Sequence, residues 1–249
     1  MCRRPVLLSL SALGWAGFGA VTLWAVAFLA DVVVPRTVDG PHRLSAVPAV
    51  AVDLALLLLF AVQHSVMARR QVKAWLGRWV PPELERTTFV LATDVCLALT
   101  FLFWQPFGGQ VWEVGGVAEV ALWSLCAAGW LLAVASTFAV DHLELVGLRQ
   151  AGWAAPRPDS GLQVTGLHAL VRHPLMTGLL VAFWATPRMT VSHLLFAAAS
   201  SGYVAVGVWF EERDLRRTFG AAYDHYARRV PALVPRPTGN RKDWEPSRT

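Results

Sequence analysis

Two short polar motifs flank one apolar hairpin. Arg172-His173-Pro174 lies in the run VTGLHALVRHPLMTG, and Glu211-Glu212 opens the run EERDLRRTFGAAYDHYARRVP. The 36 residues between them carry one charge, Arg188. An apolar stretch that turns back near Pro187-Arg188 returns the chain to the membrane face it left. A guanidinium, an imidazole and two carboxylates, far apart in sequence, should therefore meet at one water–membrane boundary. A guanidinium suits a carboxylate, and paired carboxylates suit an ammonium or another cation. Such a cluster is costly to desolvate, so it reads as a site before it reads as packing. Each part also has an ordinary structural reading. Arg172 could snorkel at a span end, and Pro174 could simply start a helix. Glu212 and Arg216, four apart, could be a surface pair. Tyr223 and Tyr226 could lie against lipid headgroups.

The elements that bring these motifs together are membrane spans. Hydrophobic residues make up 55% of the chain and the mean hydropathy is +0.45, beyond a soluble domain. A span needs roughly 20 apolar residues. Residues 6–30, 120–140 and 189–210 have no charge; 44–68 is apolar except for Asp53 and His64; 87–111 carries only Asp94. Residues 174–187 are apolar but number only 14. The expected fold is all-α: a polytopic membrane helix bundle of five full spans plus a short sixth arm that completes a helical hairpin. Arg3-Arg4 before an apolar run imitates a signal peptide, but the run is too long for one and more spans follow. It reads as a retained first helix.

The positive-inside rule orients the bundle. With the N-terminus in the cytoplasm, every Lys and Arg of the 22 except Arg36, Arg43 and Arg188 falls inside. That split supports six crossings with both termini cytoplasmic. The net charge of +5 is therefore no nucleic-acid signal. It marks loops and a tail facing anionic headgroups of the bilayer. Cys2, Cys96 and Cys126 show no metal or disulfide spacing, and no metal is expected. The loop 141–173 has a Trp/Pro/Gly-rich middle that cannot be one regular helix. The last span should continue as a helix through 211–219, break at Gly220, and resume over Ala221–Arg229 until Val230-Pro231. These C-terminal helices are expected in the cytoplasm, followed by a loose tail over 236–249.

A Val-Thr-Gly turn, then Arg-His-Pro, an apolar hairpin, Glu-Glu, Phe-Gly, two tyrosines three apart and Arg-Val-Pro resembles the isoprenylcysteine carboxyl methyltransferase superfamily. Its members are integral membrane enzymes that use S-adenosylmethionine. The resemblance covers residues 163–235. The runs QHSVMAR (63–69), VPPELERTTFVL (80–91), STFAVDHLELVGLRQ (136–150) and FWATPRMTVSHLLFA (183–197) look like its bacterial methanethiol S-methyltransferase branch, which makes dimethyl sulfide. Nitric-oxide-associated NnrU-type proteins are the nearest confusable relatives. The resemblance implies one methyltransferase domain over 1–235, with 163–235 as its cofactor core. It carries the cofactor to Val164, Thr165, Gly166, Leu167, His168, Arg172, His173, Pro174, Glu211, Glu212 and Tyr223. Two positions depart from the pattern: Met176 and His168 stand where relatives often have Tyr.

On that reading Arg172 could pair with the carboxylate of S-adenosylmethionine. Glu211 or Glu212 could hold its ammonium or offset its sulfonium. Backbone N–H groups beside Gly166 could take its acceptors, and Tyr223 with Tyr226 could wall the cation. The reaction is in-line methyl transfer to a small thiol, most simply methanethiol. Positioning and water exclusion are the protein's main tasks. Deprotonating the thiol is the step that needs help. His64 or His142 could accept that proton, while the ordinary reading of His64 is a bond to a backbone carbonyl or to Asp94. Arg86, Asp141 and Glu144 join His64 as substrate-side candidates, with a solvated helix end as the ordinary reading of the acidic pair. Asp53 and Asp94 are expected to make structural hydrogen bonds. Three alternatives stay open: another methyl acceptor on this scaffold, a nicotinamide-dependent reductase sharing the core, or a non-enzymatic haem or nitric-oxide-response protein with His64, His142 and His173 as axial ligands. Sequence leaves the oligomeric state unassigned.

Overall fold

The computed structural model describes residues 3–155 and 161–235; Cys2, Arg157 and the expected tail 236–249 lie outside them. Among the described residues, five helices are long and apolar enough to cross a membrane. They are α1 (Arg3–Leu29), α2 (Ala46–Met67), α4 (Glu85–Phe103), α5 (Val117–Val140) and α8 (Val191–Phe219). Between and after them come α3 (Arg70–Leu76), α6 (His142–Leu145), α7 (Pro174–Trp184) and α9 (Ala221–Arg229). Large apolar side chains such as Leu23, Leu58, Leu131 and Phe138 are exposed on the bundle, as lipid-facing positions are. The protein is an all-α integral membrane helix bundle.

The short arm is explained by what it packs against. With 11 residues, α7 rises roughly 16 Å, about half of a ~30 Å hydrocarbon core. It lies directly on α5. A Cβ at Gly129 would come 2.8 Å from the Gly178 carbonyl oxygen, and one at Gly178 would come 2.6 Å from the backbone N of Ala133. Gly129/Ala133 and Gly178/Ala182 are small residues four apart on facing helices, which lets two backbones touch. Beyond Trp184 the chain leaves the helix, and β2 (Arg188–Thr190) pairs antiparallel with β1 (Gln110–Glu113), Glu113 opposite Arg188. Val114 N–H donates to Pro187 O at 2.9 Å. The arm thus reaches the end of the bundle where α4 stops and α5 starts, by a half-length helix and an extended segment.

That strand pair also shortens the third span relative to expectation. The helix ends at Phe103 rather than near 111, because the Asp53 carboxylate takes the Gln105 N–H at 2.8 Å and Pro106 follows. Met189, expected in the last span, sits in β2 for the same reason. This turn end is closed by an aromatic cluster of Phe28, Phe101, Trp104, Phe183 and Phe196.

At the opposite, motif end, α8 runs 29 residues, roughly 44 Å, and so projects past a bilayer core. Gly220 has φ +51°, which ends α8 and starts α9, where the sequence placed the break.

Candidate active site

The Arg-His-Pro motif sits where a loop becomes a helix. Pro174 occupies the first turn of α7, with His173 as the residue that precedes the helix. Arg172 N–H donates to Pro231 O (2.9 Å), His173 N–H to Ala232 O (3.0 Å), and the Thr177 hydroxyl to Leu233 O (2.7 Å). Residues 230–233 therefore form a strap across the start of α7. The hairpin brings its two motifs into contact. Arg172 Nε donates to Glu212 Oε1 at 2.9 Å, and Nη2 reaches the same oxygen. Nη1 donates to Ala227 O at 3.1 Å and to Val230 O. Arg216 Nη2 lies 3.2 Å from the other Glu212 oxygen. His173 stands between the two glutamates, Nδ1 3.3 Å from Glu211 Oε2 and Nε2 3.4 Å from Glu212 Oε1.

This geometry divides the labour. The Glu212 side chain is 12% exposed and meets two guanidinium groups and an imidazole. Arg172 is 10% exposed and turned wholly inward. Both are structural partners here, and Arg172 presents its donors to protein oxygens rather than to a ligand carboxylate. Glu211 is 53% exposed and is the cluster's open carboxylate. Tyr223 has no accessible surface, so in place of the expected aromatic wall it forms a floor, with the Arg216 guanidinium carbon 5.5 Å from its ring centre. Tyr226 Oη donates to His168 O at 2.6 Å and ties α9 to the 3-10 turn Gly166–Ala169. Burial and the Glu212 carboxylate push the Tyr223 phenol up, and burial and Tyr223 push Tyr226 to about 12, so both stay neutral. Burial and His173 hold His168 below the ordinary histidine value.

Beside Glu211's cluster, Thr165 and Gly166 are exposed. Gly166 has φ +59° and open space where a Cβ would stand. The N–H groups of residues 165–167 have no acceptor among the described residues. An open carboxylate, free amide donors and a glycine-lined gap are the set that an amino-acid and adenine group needs.

Immediately behind Pro174 lies a cavity of about 550 Å³. Leu175 and Met176 line it from α7. Both candidate histidines line it too. They differ in how free they are. His142 is bonded on both sides: Trp15 Nε1–H donates to its Nε2 (3.0 Å) and its Nδ1 lies 2.9 Å from Thr137 Oγ1. His64 Nδ1 lies 3.4 Å from Thr93 Oγ1, whose own hydrogen goes to Phe89 O at 2.9 Å. His64 Nε2 has no hydrogen-bond partner among the described residues. Phe60, Phe89 and Tyr203 ring it, with centroids 5.4, 4.8 and 6.4 Å away.

The other substrate-side candidates stand outside this cavity. Arg86 Nε donates to Leu145 O at 2.9 Å. Asp141 pairs with Arg149 at 2.7 Å and accepts from Glu144 N–H at 3.1 Å. Glu144 is exposed. These residues shape the α5–α6 turn. Asp94 lines the cavity, with Oδ2 2.8 Å from where a Gly17 Cβ would be. Sequence reading missed Thr93, Tyr203, Trp15 and Thr137, and the strap at 230–233. The four-residue spacings Phe60/His64 and Phe89/Thr93 were a usable signal, since both pairs share a helix face.

No protein-family model matches the chain, and no solved structure matches it. Among curated proteins it is 44% identical to methanethiol S-methyltransferase 2 of Bradyrhizobium diazoefficiens, over 95% of this chain and 92% of the relative. It is 48% identical to methanethiol S-methyltransferase of Mycobacterium tuberculosis, over 86% of this chain and 89% of that one. Nurim of Rattus norvegicus is 32% identical over 69% of this chain and 70% of its own length. Similarity of this extent, spanning the hairpin, both motifs and the cavity helices, makes the chain a member of the methanethiol S-methyltransferase family, within a wider membrane superfamily that includes nurim.

Proposed function

We infer that the protein carries its family's chemistry: it is a membrane enzyme that methylates methanethiol to dimethyl sulfide, with S-adenosylmethionine as methyl donor. The observation that carries this reading is a junction. A polar cluster with one open carboxylate, Glu211, abuts an apolar cavity that contains an imidazole nitrogen, His64 Nε2, with no hydrogen-bond partner among the described residues. A polar methyl donor and a small apolar thiol need those two environments side by side. The Lys and Arg distribution supports a cytoplasmic motif end and cytoplasmic termini, in the inner membrane.

S-Adenosylmethionine, when bound, supplies a methyl group on a cationic sulfur, which a thiolate takes up to give dimethyl sulfide. The protein's own residues do the rest. Glu211 offers a counter-charge to an ammonium, and the amides of 165–167 offer donors to acceptor oxygens or ring nitrogens. Arg172, Glu212 and the 230–233 strap hold His173 against Glu211, and Tyr226 holds His168. Phe60, Phe89 and Tyr203 exclude water around His64 and present ring faces that favour a cation. His64 takes the thiol proton at Nε2, with Thr93 accepting from Nδ1–H to fix that tautomer.

The test is headspace gas chromatography of detergent-purified protein with S-adenosylmethionine and methanethiol. Dimethyl sulfide is expected. Its absence from protein that binds the donor would rule out this acceptor. In His64→Ala the rate should fall roughly 10²–10⁴-fold near neutral pH. It should recover as pH rises toward the thiol's own ionisation. A mutant with the wild-type pH profile would remove His64 as proton acceptor.

A further inference from the structure

The cavity is far larger than methanethiol requires. Two heavy atoms fill roughly 60 Å³ at the ~30 Å³ that a water takes in its liquid. The cavity holds about 550 Å³, a size that suits ligands of many more atoms.

Its polarity is graded along the bundle. Groups that can bond a thiol or its proton gather toward the motif end: His64, Thr137, His142 and Tyr203. Toward the turn end the lining is mostly Leu54, Leu179, Phe183 and Phe196; the Thr22 and Thr100 hydroxyls there already donate to Phe18 O at 2.7 Å and Cys96 O at 2.9 Å, and Asp94 and Ser200 stand between the two ends. Met176 to Phe183 on α7, and Tyr203 to Phe196 on α8, are each seven residues, or roughly 10 Å of helix. The far end is stopped by the aromatic cluster, in which Phe183 and Phe196 meet edge to face at 5.4 Å. The charged ends of a methyl donor cannot occupy this apolar length without a large desolvation cost. The length is left to the acceptor.

We propose that the cavity accepts apolar thiols much larger than methanethiol, alkanethiols of about six carbons and benzenethiol included, and that they are methylated at the same site. The inference rests on the thiol methyltransferase reading above. The step balances without any redox partner. The acceptor's S–H bond breaks and its proton goes to His64 Nε2. The thiolate forms a new S–CH3 bond with the donor's methyl. The donor's C–S bond breaks with its electron pair left on sulfur, so a sulfonium becomes a neutral thioether.

The experiment is a chain-length series. Purified protein with S-adenosylmethionine is given n-alkanethiols from one to eight carbons, and the methyl sulfides are quantified by gas chromatography. The thiol acidity hardly changes along the series, so chain length probes burial. KM should fall roughly fourfold per methylene until the apolar length is filled. Partition into detergent also follows chain length, so a pocket variant separates the two. Ser200→Phe places a ring midway along the cavity and should cut the hexanethiol-to-methanethiol ratio of kcat/KM at least tenfold. Thr22→Phe fills the same space from α1 should the first variant not fold. Without donor, n-hexyl methyl sulfide should raise the melting temperature of the protein more than dimethyl sulfide does. Methanethiol turnover with butanethiol and longer thiols inert would overturn the inference alone. So would a wild-type ratio in both folded variants. Failure of every thiol, methanethiol included, would overturn the underlying reading with it.

Discussion

Each end of the bundle buries a histidine against carboxylates, yet only one end is built as a site. At the turn end His193 is 1% exposed, with Nε2 3.1 Å from Phe183 O and Nδ1 3.7 Å from Asp39 Oδ2. Asp39 is itself buried and takes the Thr190 hydroxyl, and Thr190 caps α8 through His193 N–H. His193 faces only other parts of the protein, with the aromatic cluster nearby, while Asp39 also borders a polar cleft with Asp31, Glu113, Glu119 and Arg188. At the motif end His173 is just as buried between Glu211 and Glu212, but Glu211 keeps an open face, amide donors lie beside it, and a cavity begins one residue past Pro174. Residue type does not separate the two. What separates them is one group left open where an apolar space starts.

The sharpest way to break this contrast is to remove the inner support of the motif end. Arg172→Met leaves Glu212 buried with less compensation and frees the carbonyls of Ala227 and Val230. Breaking a buried pair costs about 3–5 kcal/mol. A large drop in melting temperature, with loss of donor binding and of dimethyl sulfide production, is expected. A variant that melts like wild type would show that the strap holds without Arg172. Glu211→Gln should instead leave the melting temperature alone and weaken S-adenosylmethionine binding roughly 10–100-fold, the scale of a lost charged hydrogen bond. Calorimetry on the two variants separates support from contact; equal melting losses would erase the distinction drawn between Glu211 and Glu212. At the other end, Asp39→Asn should lower the melting temperature, by about 1–3 kcal/mol of stability, while kcat/KM per folded molecule stays within twofold. A tenfold loss of kcat/KM there would mean the turn end is coupled to the reaction.

How much of this was legible in the sequence follows from what each signal depends on. Hydropathy alone located the five spans, because lipid leaves the backbone few options. The turn near Pro187-Arg188 was legible because its polar residues interrupt a long apolar run, and with it the meeting of Arg172 and Glu212. Gly220 announced the α8–α9 break. The partition between Glu211 and Glu212 was not legible. Adjacent residues on a helix differ by about 100° in direction, and only the packing of α9 and the strap decides which one is buried. The aromatic ring around His64 was hidden for a similar reason. Phe60, Phe89 and Tyr203 come from three helices, and in an apolar sequence such residues look like any others facing lipid. Trp15 on His142 is 127 positions away in sequence, and no local pattern carries that contact.

The smallest expected effect divides the two cavity histidines. An indole N–H can only donate, so Trp15 fixes His142 Nε2 as an acceptor. Thr137 has already given its hydrogen to Val134 O at 2.8 Å, so Nδ1 carries the imidazole proton toward Thr137 Oγ1. Protonating His142 would set an N–H against the Trp15 N–H. Burial holds its pKa below the ordinary 6.5, and the nearby Asp141 charge opposes this more weakly. The sign of the linkage follows. Unfolded chain takes up the proton first as pH falls, so the contribution of His142 is complete above about 6.5 and is lost as pH drops toward the depressed folded value. The wild-type melting temperature should therefore decline below neutrality, and His142→Gln should flatten that decline by a few degrees while leaving the pH–rate profile of thiol methylation in place. His64→Ala should instead reshape the pH–rate profile. If His142→Gln reshapes the rate profile and leaves the melting curve's pH dependence unchanged, the two histidines have exchanged roles and the proton acceptor is the one bonded to Trp15.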